Sequence, residues 1–158
     1  QDYNKDVLTQ ITIPNVMLNV KTQSKTVDDG SPAVESEIEE NFDIESLEEN
    51  LQFYSGDWWE YVKLTTKNDE NKTNKFDYIL TSETIYNPQN QQKLLDTFYA
   101  KLNTNGVVLV AAKTYYFGVG GGLRQFEELI TSDKRFQFKV VWSSADGVKR
   151  EILELRLK

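Results

Sequence analysis

The chain has 158 residues, 39% of them apolar and 12% aromatic, enough for one packed domain or most of one, which argues against disorder throughout. Its net charge of -7 argues against a broad basic surface, so no direct nucleic-acid binding is expected, and an acidic face would suit a basic partner. Cysteine and histidine are both absent, which excludes a disulfide framework, a zinc site built from those ligands and a histidine-dependent triad; any catalysis must use carboxylates, hydroxyls, amides, aromatics or a cofactor.

Val7, Leu8, Ile11, Val16, Met17 and Val20 recur near helical spacing, so Val7 to Val20 is predicted helical, with Pro14 kinking it or starting a new turn. Ten acidic and no basic residues then fall between Asp28 and Glu49. Residues 22–50 or so read as an acidic insertion, a solvated surface excursion rather than a docking element, with a short helical turn available around Ile44 to Leu51. Leu51 to Tyr54 is a short strand candidate closed by Ser55-Gly56-Asp57. Trp58 to Leu64 reads as a short helix with Trp59 and Tyr61 in the core, and Lys67 to Lys75 as a polar loop.

Phe76 to Thr81 is a predicted strand. Asn87-Pro88 opens a helix to about Leu102, with Leu94, Leu95, Phe98 and Leu102 on one face, because proline suits a first turn where its missing donor is not needed. Asn105-Gly106 is expected to end that helix, and Val107 to Ala112 is a continuous apolar strand of the kind buried on both faces. Leu123 to Ile130 is helical. Phe136 to Trp142 and Glu151 to Leu157 form a hairpin with Asp146-Gly147 as turn residues. This order predicts an α/β fold with a mostly parallel sheet and an antiparallel last strand. No apolar stretch approaches the roughly 18 residues of a membrane-spanning helix, so no membrane partner is expected.

Thr81 to Pro88 crowds a carboxylate, hydroxyls and an amide at the carboxyl end of a strand, where open α/β enzymes place their chemistry. Such groups are expensive to bury without a polar role. The run Gly118-Val119-Gly120-Gly121-Gly122 fails as a phosphate loop, since Leu123 stands where the dinucleotide fingerprint wants its last glycine.

The runs Gln1-Asp2-Tyr3-Asn4, Thr12 to Val16, Phe53 to Trp58, Leu80 to Pro88 and Tyr116 to Gly122 together resemble the histidine protein methyltransferase family, over nearly the whole chain except the acidic insertion. The resemblance implies a partial Rossmann-like class I methyltransferase fold. Residues 1–158 would be the carboxyl-terminal portion of one domain, with the first strand and the glycine-rich loop left to the missing amino-terminal part of the same enzyme; the chain alone should bind cofactor poorly. It further implies methyl transfer from S-adenosylmethionine, leaving S-adenosylhomocysteine, to an imidazole nitrogen of the third protein of the large ribosomal subunit. That substrate implies a cytoplasmic and nuclear enzyme tied to ribosome biogenesis and translation.

On the same resemblance Asp2 accepts hydrogen bonds from the ribose hydroxyls of the donor, with a frayed terminus as the alternative, and Tyr3 and Asn4 flank the adenosine. Gly56 allows close backbone approach, Asp57 accepts from the adenine amino group and Trp58 forms an aromatic wall; an ordinary tight turn is the alternative. Ser82, Glu83, Thr84 and Tyr86 face the methyl donor. In-line displacement needs nitrogen, carbon and sulfur held in line, and imidazole, with a pKa of about 6.5, is already a competent nucleophile. Glu83 would orient the ring by accepting its other N–H, or cap the following helix. Tyr116, Phe117, Gly118 and Gly120 would form a substrate mouth where glycines admit a peptide backbone beside an aromatic ring, or else a flexible helix-entry loop. Two other readings stand: a methyltransferase-like binding module, and a methyltransferase acting on lysine or a small molecule, since the fold does not fix the acceptor.

Overall fold

The computed structural model describes residues 1–23, 51–67, 75–118 and 120–158, which form two compact units, Gln1–Asp57 and Trp58–Lys158. The acidic insertion beyond its first residues, the helical turn at Ile44, most of the loop between Lys67 and Lys75, and Val119 lie outside the described residues.

In the first unit the Asn4 side chain accepts a hydrogen bond from the Asp6 N–H at 2.9 Å, capping one of the donors left bare at a helix start. Helix α1 (Lys5–Val7) runs through a π-helical stretch, Leu8–Thr12, into α2 (Ile13–Gln23), so the helix continues into the first residues expected to belong to the insertion. Pro14 accounts for the wide turn before it. A proline ring crowds the carbonyl four residues back, and the Ile13 N–H bonding to Leu8, five residues back, opens the helix at that point.

The strand expected at Leu51 to Tyr54 does not form. A single parallel bridge joins Asp2 and Ser55, with the Asp2 N–H donating to Tyr54 O at 3.0 Å and the Gly56 N–H donating to Asp2 O at 2.9 Å. The ladder stops after one residue because Asn4 already turns its partner into a helix.

The second unit alternates helix and strand as expected: α3 (Trp58–Lys67), β1 (Phe76–Ser82), α4 (Pro88–Lys101), β2 (Leu102–Lys113), α5 (Leu123–Asp133), β3 (Phe136–Ser143) and β4 (Arg150–Leu157). The four-stranded sheet has the order β1-β2-β4-β3, with β1 parallel to β2 and β4 antiparallel to both its neighbours. Strands β1, β2 and β3 therefore point one way. Only the last strand is reversed, and it inserts between β2 and β3.

Val108 and Val110 on β2 and Leu153 and Leu155 on β4 are fully buried in one cluster with Leu95 and Phe98 of α4 and Phe126 and Ile130 of α5. The opposite face of β2, at Leu109 and Ala111, is only partly buried, so burial on both faces is not what this sheet shows. Its register neighbour Leu80 on β1 is exposed.

Two further expectations change. Asn105-Gly106 does not end a helix: α4 stops at Lys101, Leu102 is already extended and buried, and pairing jumps from Phe76↔Leu102 to Tyr78↔Val107. Gly106 lies inside β2 at that irregularity, where an added methyl would sit 2.7 Å from a Leu102 side-chain carbon. Trp59 is exposed rather than core, and Tyr61 is half-buried with the Lys101 ammonium 5.6 Å from its ring centre. Trp58, Val62 and Thr65 form the inward stripe at helical spacing, which turns Trp59 outward.

Candidate active site

Strand β1 delivers Ser82 to the carboxyl end of the sheet, and the chain then turns sharply. Glu83 adopts φ 57, in the left-handed region that costs a residue with a side chain roughly 1–2 kcal/mol. Its N–H donates to Ala111 O at 2.9 Å, holding it against β2 one residue beyond the strand. The hydroxyls of Thr81 and Thr84 meet at 2.8 Å, and buried Gln91 donates to Ile85 O at 2.7 Å. Asn87 caps α4 by accepting from the Gln89 N–H at 3.0 Å, with Pro88 in the first turn. The helix cap is thus Asn87, which leaves the Glu83 carboxylate for other partners.

That carboxylate lies 3.7 Å from the Lys113 ammonium at the carboxyl end of β2. The same ammonium sits 5.4 Å from the centre of the Tyr116 ring, and the Lys113 backbone N–H donates to the Tyr116 hydroxyl at 3.3 Å. Burial pushes the Tyr116 phenol up to about 12; the Lys113 N–H pulls it down, and its hydrogen bond to Glu83 raises it further. It therefore stays protonated near neutral pH. The Tyr86 ring meets the Tyr116 ring edge-on at 6.4 Å. Glu83, Tyr86 and Tyr116 come together, as the sequence suggested. Lys113 joins them unannounced.

A cavity of about 470 Å³ opens here, with Ser82, Glu83, Lys113, Trp142 and Arg150 among its lining residues. Trp142 and Arg150 carried no signal of their own in the sequence. Only the register that sets Lys113 opposite Arg150, and Trp142 opposite Ile152, brings them to this end of the sheet.

The glycine run divides in two. Gly118 and Gly120 take φ 81 and φ 79 with open space beyond their α-carbons, whereas an added methyl at Gly121 would overlap the Tyr86 carbonyl and one at Gly122 the Thr114 carbonyl. The Tyr116 N–H donates to Gly121 O at 3.1 Å, so the loop's end is packed against the Glu83 turn. Phe117 is 85% exposed, its ring edge-on to Tyr115 at 5.0 Å.

In the first unit, Asp2 Oδ1 accepts from the Asn4 N–H at 2.8 Å, and its other oxygen has no partner among the described residues. Gly56 beside it has φ 119, donates to Asp2 O and accepts from the Gln1 side-chain amide, with open space over its α-carbon. A carboxylate with a spare oxygen next to an unobstructed glycine fits the ribose end of a nucleoside. Tyr3 is exposed and Asp57 half-buried. Trp58 opens α3 of the second unit and packs on that unit's core.

A parallel strand pair ending in a braced polar turn, with a reversed last strand inserted in the sheet, defines a partial class I methyltransferase fold. A family model described as lysine methyltransferase matches residues 13–120, and the chain belongs to that family. It is similar over its whole length to proteins named histidine protein methyltransferase 1 homolog, at 37% identity over 158 residues to that of Bos taurus and 37% over 160 residues to that of Dictyostelium discoideum. Histidine protein methyltransferase 1 of Schizosaccharomyces pombe is 29% identical over 161 residues, which cover 97% of this chain. The chain spans 42% of the length of the first two relatives and 47% of the third.

Proposed function

We propose that this chain is part of an S-adenosylmethionine-dependent protein-histidine N-methyltransferase. Its acceptor is an imidazole nitrogen of the third protein of the large ribosomal subunit, and it acts in the cytoplasm and nucleus. The observation that carries the reading is the group Glu83, Lys113 and Tyr116 gathered beside a cavity at the carboxyl ends of two parallel strands.

The donor, when bound, supplies an electrophilic methyl on a positively charged sulfur. The protein's work is to hold and orient. Asp2 and Gly56 suit the ribose hydroxyls, and Asp57 the adenine amino group. Glu83 accepts the N–H of the imidazole nitrogen that is not modified, which fixes the tautomer and stabilises the positive charge that appears on the product ring. Lys113, between the Glu83 carboxylate and the Tyr116 ring, aims that carboxylate. Tyr86 and Tyr116 present ring surface on which a flat acceptor can pack.

The chemistry of the group favours histidine over lysine. An amine acceptor with a pKa of about 10.4 must first lose a proton, which costs about 4–5 kcal/mol near neutral pH, and the Glu83 carboxylate, the base of the group, is a weak one already engaged by the Lys113 ammonium at 3.7 Å. An imidazole needs no such step. The names of the relatives point the same way, whereas the description of the family names the alternative.

The direct test gives full-length protein a labelled methyl donor with a histidine-containing acceptor, its histidine-to-alanine version and a lysine-only acceptor. Label on the first alone supports the reading. Label that persists on the other two sinks it.

A further inference from the structure

We infer that Arg150, backed by the Trp142 indole, forms a subsite for the carboxylate of an acidic residue in the acceptor polypeptide, close in sequence to the residue that is modified. The position of that carboxylate relative to the modified residue rests on the methyltransferase reading; the anion subsite itself does not.

Lys113 and Arg150 are register partners across β2 and β4, and directly opposed like charges destabilise a strand pair. Lys113 is answered by Glu83 at 3.7 Å. Arg150 has no carboxylate partner among the described residues. Of the chain's four arginines, Arg124, Arg135 and Arg156 lie 2.5, 2.5 and 2.7 Å from carboxylates, whereas the Arg150 guanidinium reaches only the Val148 carbonyl, at 3.5 Å, among the described residues. The adjacent Glu151 is buried and already taken by Arg124 at 2.5 Å and Lys149 at 3.0 Å.

The Arg150 backbone is fixed from both sides. Its N–H donates to the Ser144 hydroxyl at 2.9 Å and its carbonyl accepts from the Ser144 N–H at 2.8 Å. A rigid strand end therefore presents to the cavity that Glu83 also lines a guanidinium with no carboxylate partner among the described residues. The planar guanidinium fork matches a carboxylate in bidentate fashion. Half-exposed Trp142 lines the same cavity and offers apolar surface for the stem of an acidic side chain. A singly charged carboxylate fits better than a phosphate group, because Glu83 in the same cavity opposes a second negative charge.

The test uses full-length protein and fluorescent histidine-centred peptides in which one glutamate is moved position by position, each with a glutamine twin and a phosphoserine version. Binding is read by anisotropy with S-adenosylhomocysteine present, and methyl transfer is read on the same peptides. At one position the glutamate peptide binds about tenfold tighter than its twin, the size of one charge-assisted pair. Arg150→Gln removes that preference and Arg150→Lys restores part of it. Equal binding of the twins at every position, a preference that survives in Arg150→Gln, or stronger binding of the phosphoserine version overturns the inference. So does a lower melting temperature of Arg150→Gln without any glutamate preference in the wild type, which would mean that a carboxylate elsewhere in the polypeptide already fills the subsite. A glutamate preference without methylated histidine upholds the subsite and removes the methyltransferase reading; methylated histidine without the preference does the reverse.

Discussion

Glu83, one residue past β1, and Lys113, the last residue of the parallel neighbour β2, hold carboxylate and ammonium 3.7 Å apart, and the Tyr116 ring lies 5.4 Å from the same ammonium. Their side chains are 42% and 34% exposed, so the pair contributes only about 0–1 kcal/mol to stability. An ion pair that weak, reached from a strained backbone at φ 57, points to a role in chemistry rather than folding.

Glu83→Ala in the full-length protein is expected to lower turnover by about 10- to 100-fold, the usual loss when an orienting carboxylate is removed. Its melting temperature should hardly move. Glu83→Gly should be at least as stable as Glu83→Ala, because glycine accepts the left-handed backbone without strain. A large loss of stability in both variants would assign Glu83 to the fold instead.

Asp57→Ala is expected to act on binding rather than turnover. Titration calorimetry should show S-adenosylhomocysteine bound about tenfold more weakly, with turnover restored at saturating donor. Unchanged affinity would take Asp57 out of the cofactor site.

The glycine run gives a contrast that exposed-loop mutability would not. Gly121→Ala places a methyl on the Tyr86 carbonyl and should cost roughly 2–4 kcal/mol by denaturant unfolding, while disturbing the turn that carries Glu83. Gly120→Ala meets open space and only a positive φ, costing about 1–2 kcal/mol. Equal effects would show that the close approach at Gly121 is not what holds the loop.

Alkaline titration probes Tyr116. Its proton is held more tightly in the folded state than at the ordinary value of 10.0, so this stabilising contribution is complete below pH 10 and lost as pH rises towards about 12. Wild-type stability should fall more steeply over that window than that of Tyr116→Phe. Parallel curves would mean that the phenol is not buried against Glu83.

Much of the fold was legible because periodicity and local caps agree: Asn87-Pro88 starts α4, Leu94, Leu95 and Phe98 form its inward face, and β4 alternates, although β3 does so only at its start, with Val140, Val141 and Trp142 all exposed. Errors arose where one residue's contacts outweighed local signals. Buried Leu102 ends α4 early, so Asn105-Gly106 became part of a strand irregularity instead of a helix stop. A one-residue bridge at Asp2 left Leu51 to Tyr54 without a ladder. In the site, Glu83 and Tyr116 were readable as polar and aromatic residues after strands. Lys113, Trp142 and Arg150 were not, since their meeting depends on the register of β2, β4 and β3, which no local pattern reveals.

Methyl transfer to an imidazole under the control of Glu83 is decided by peptide-level mass spectrometry of the acceptor after incubation with full-length protein and methyl donor. One added methyl on a histidine ring is expected, formed by the wild type and strongly reduced by Glu83→Ala at unchanged S-adenosylhomocysteine affinity. A methyl found on lysine, or on histidine at the same rate in both proteins, would contradict it.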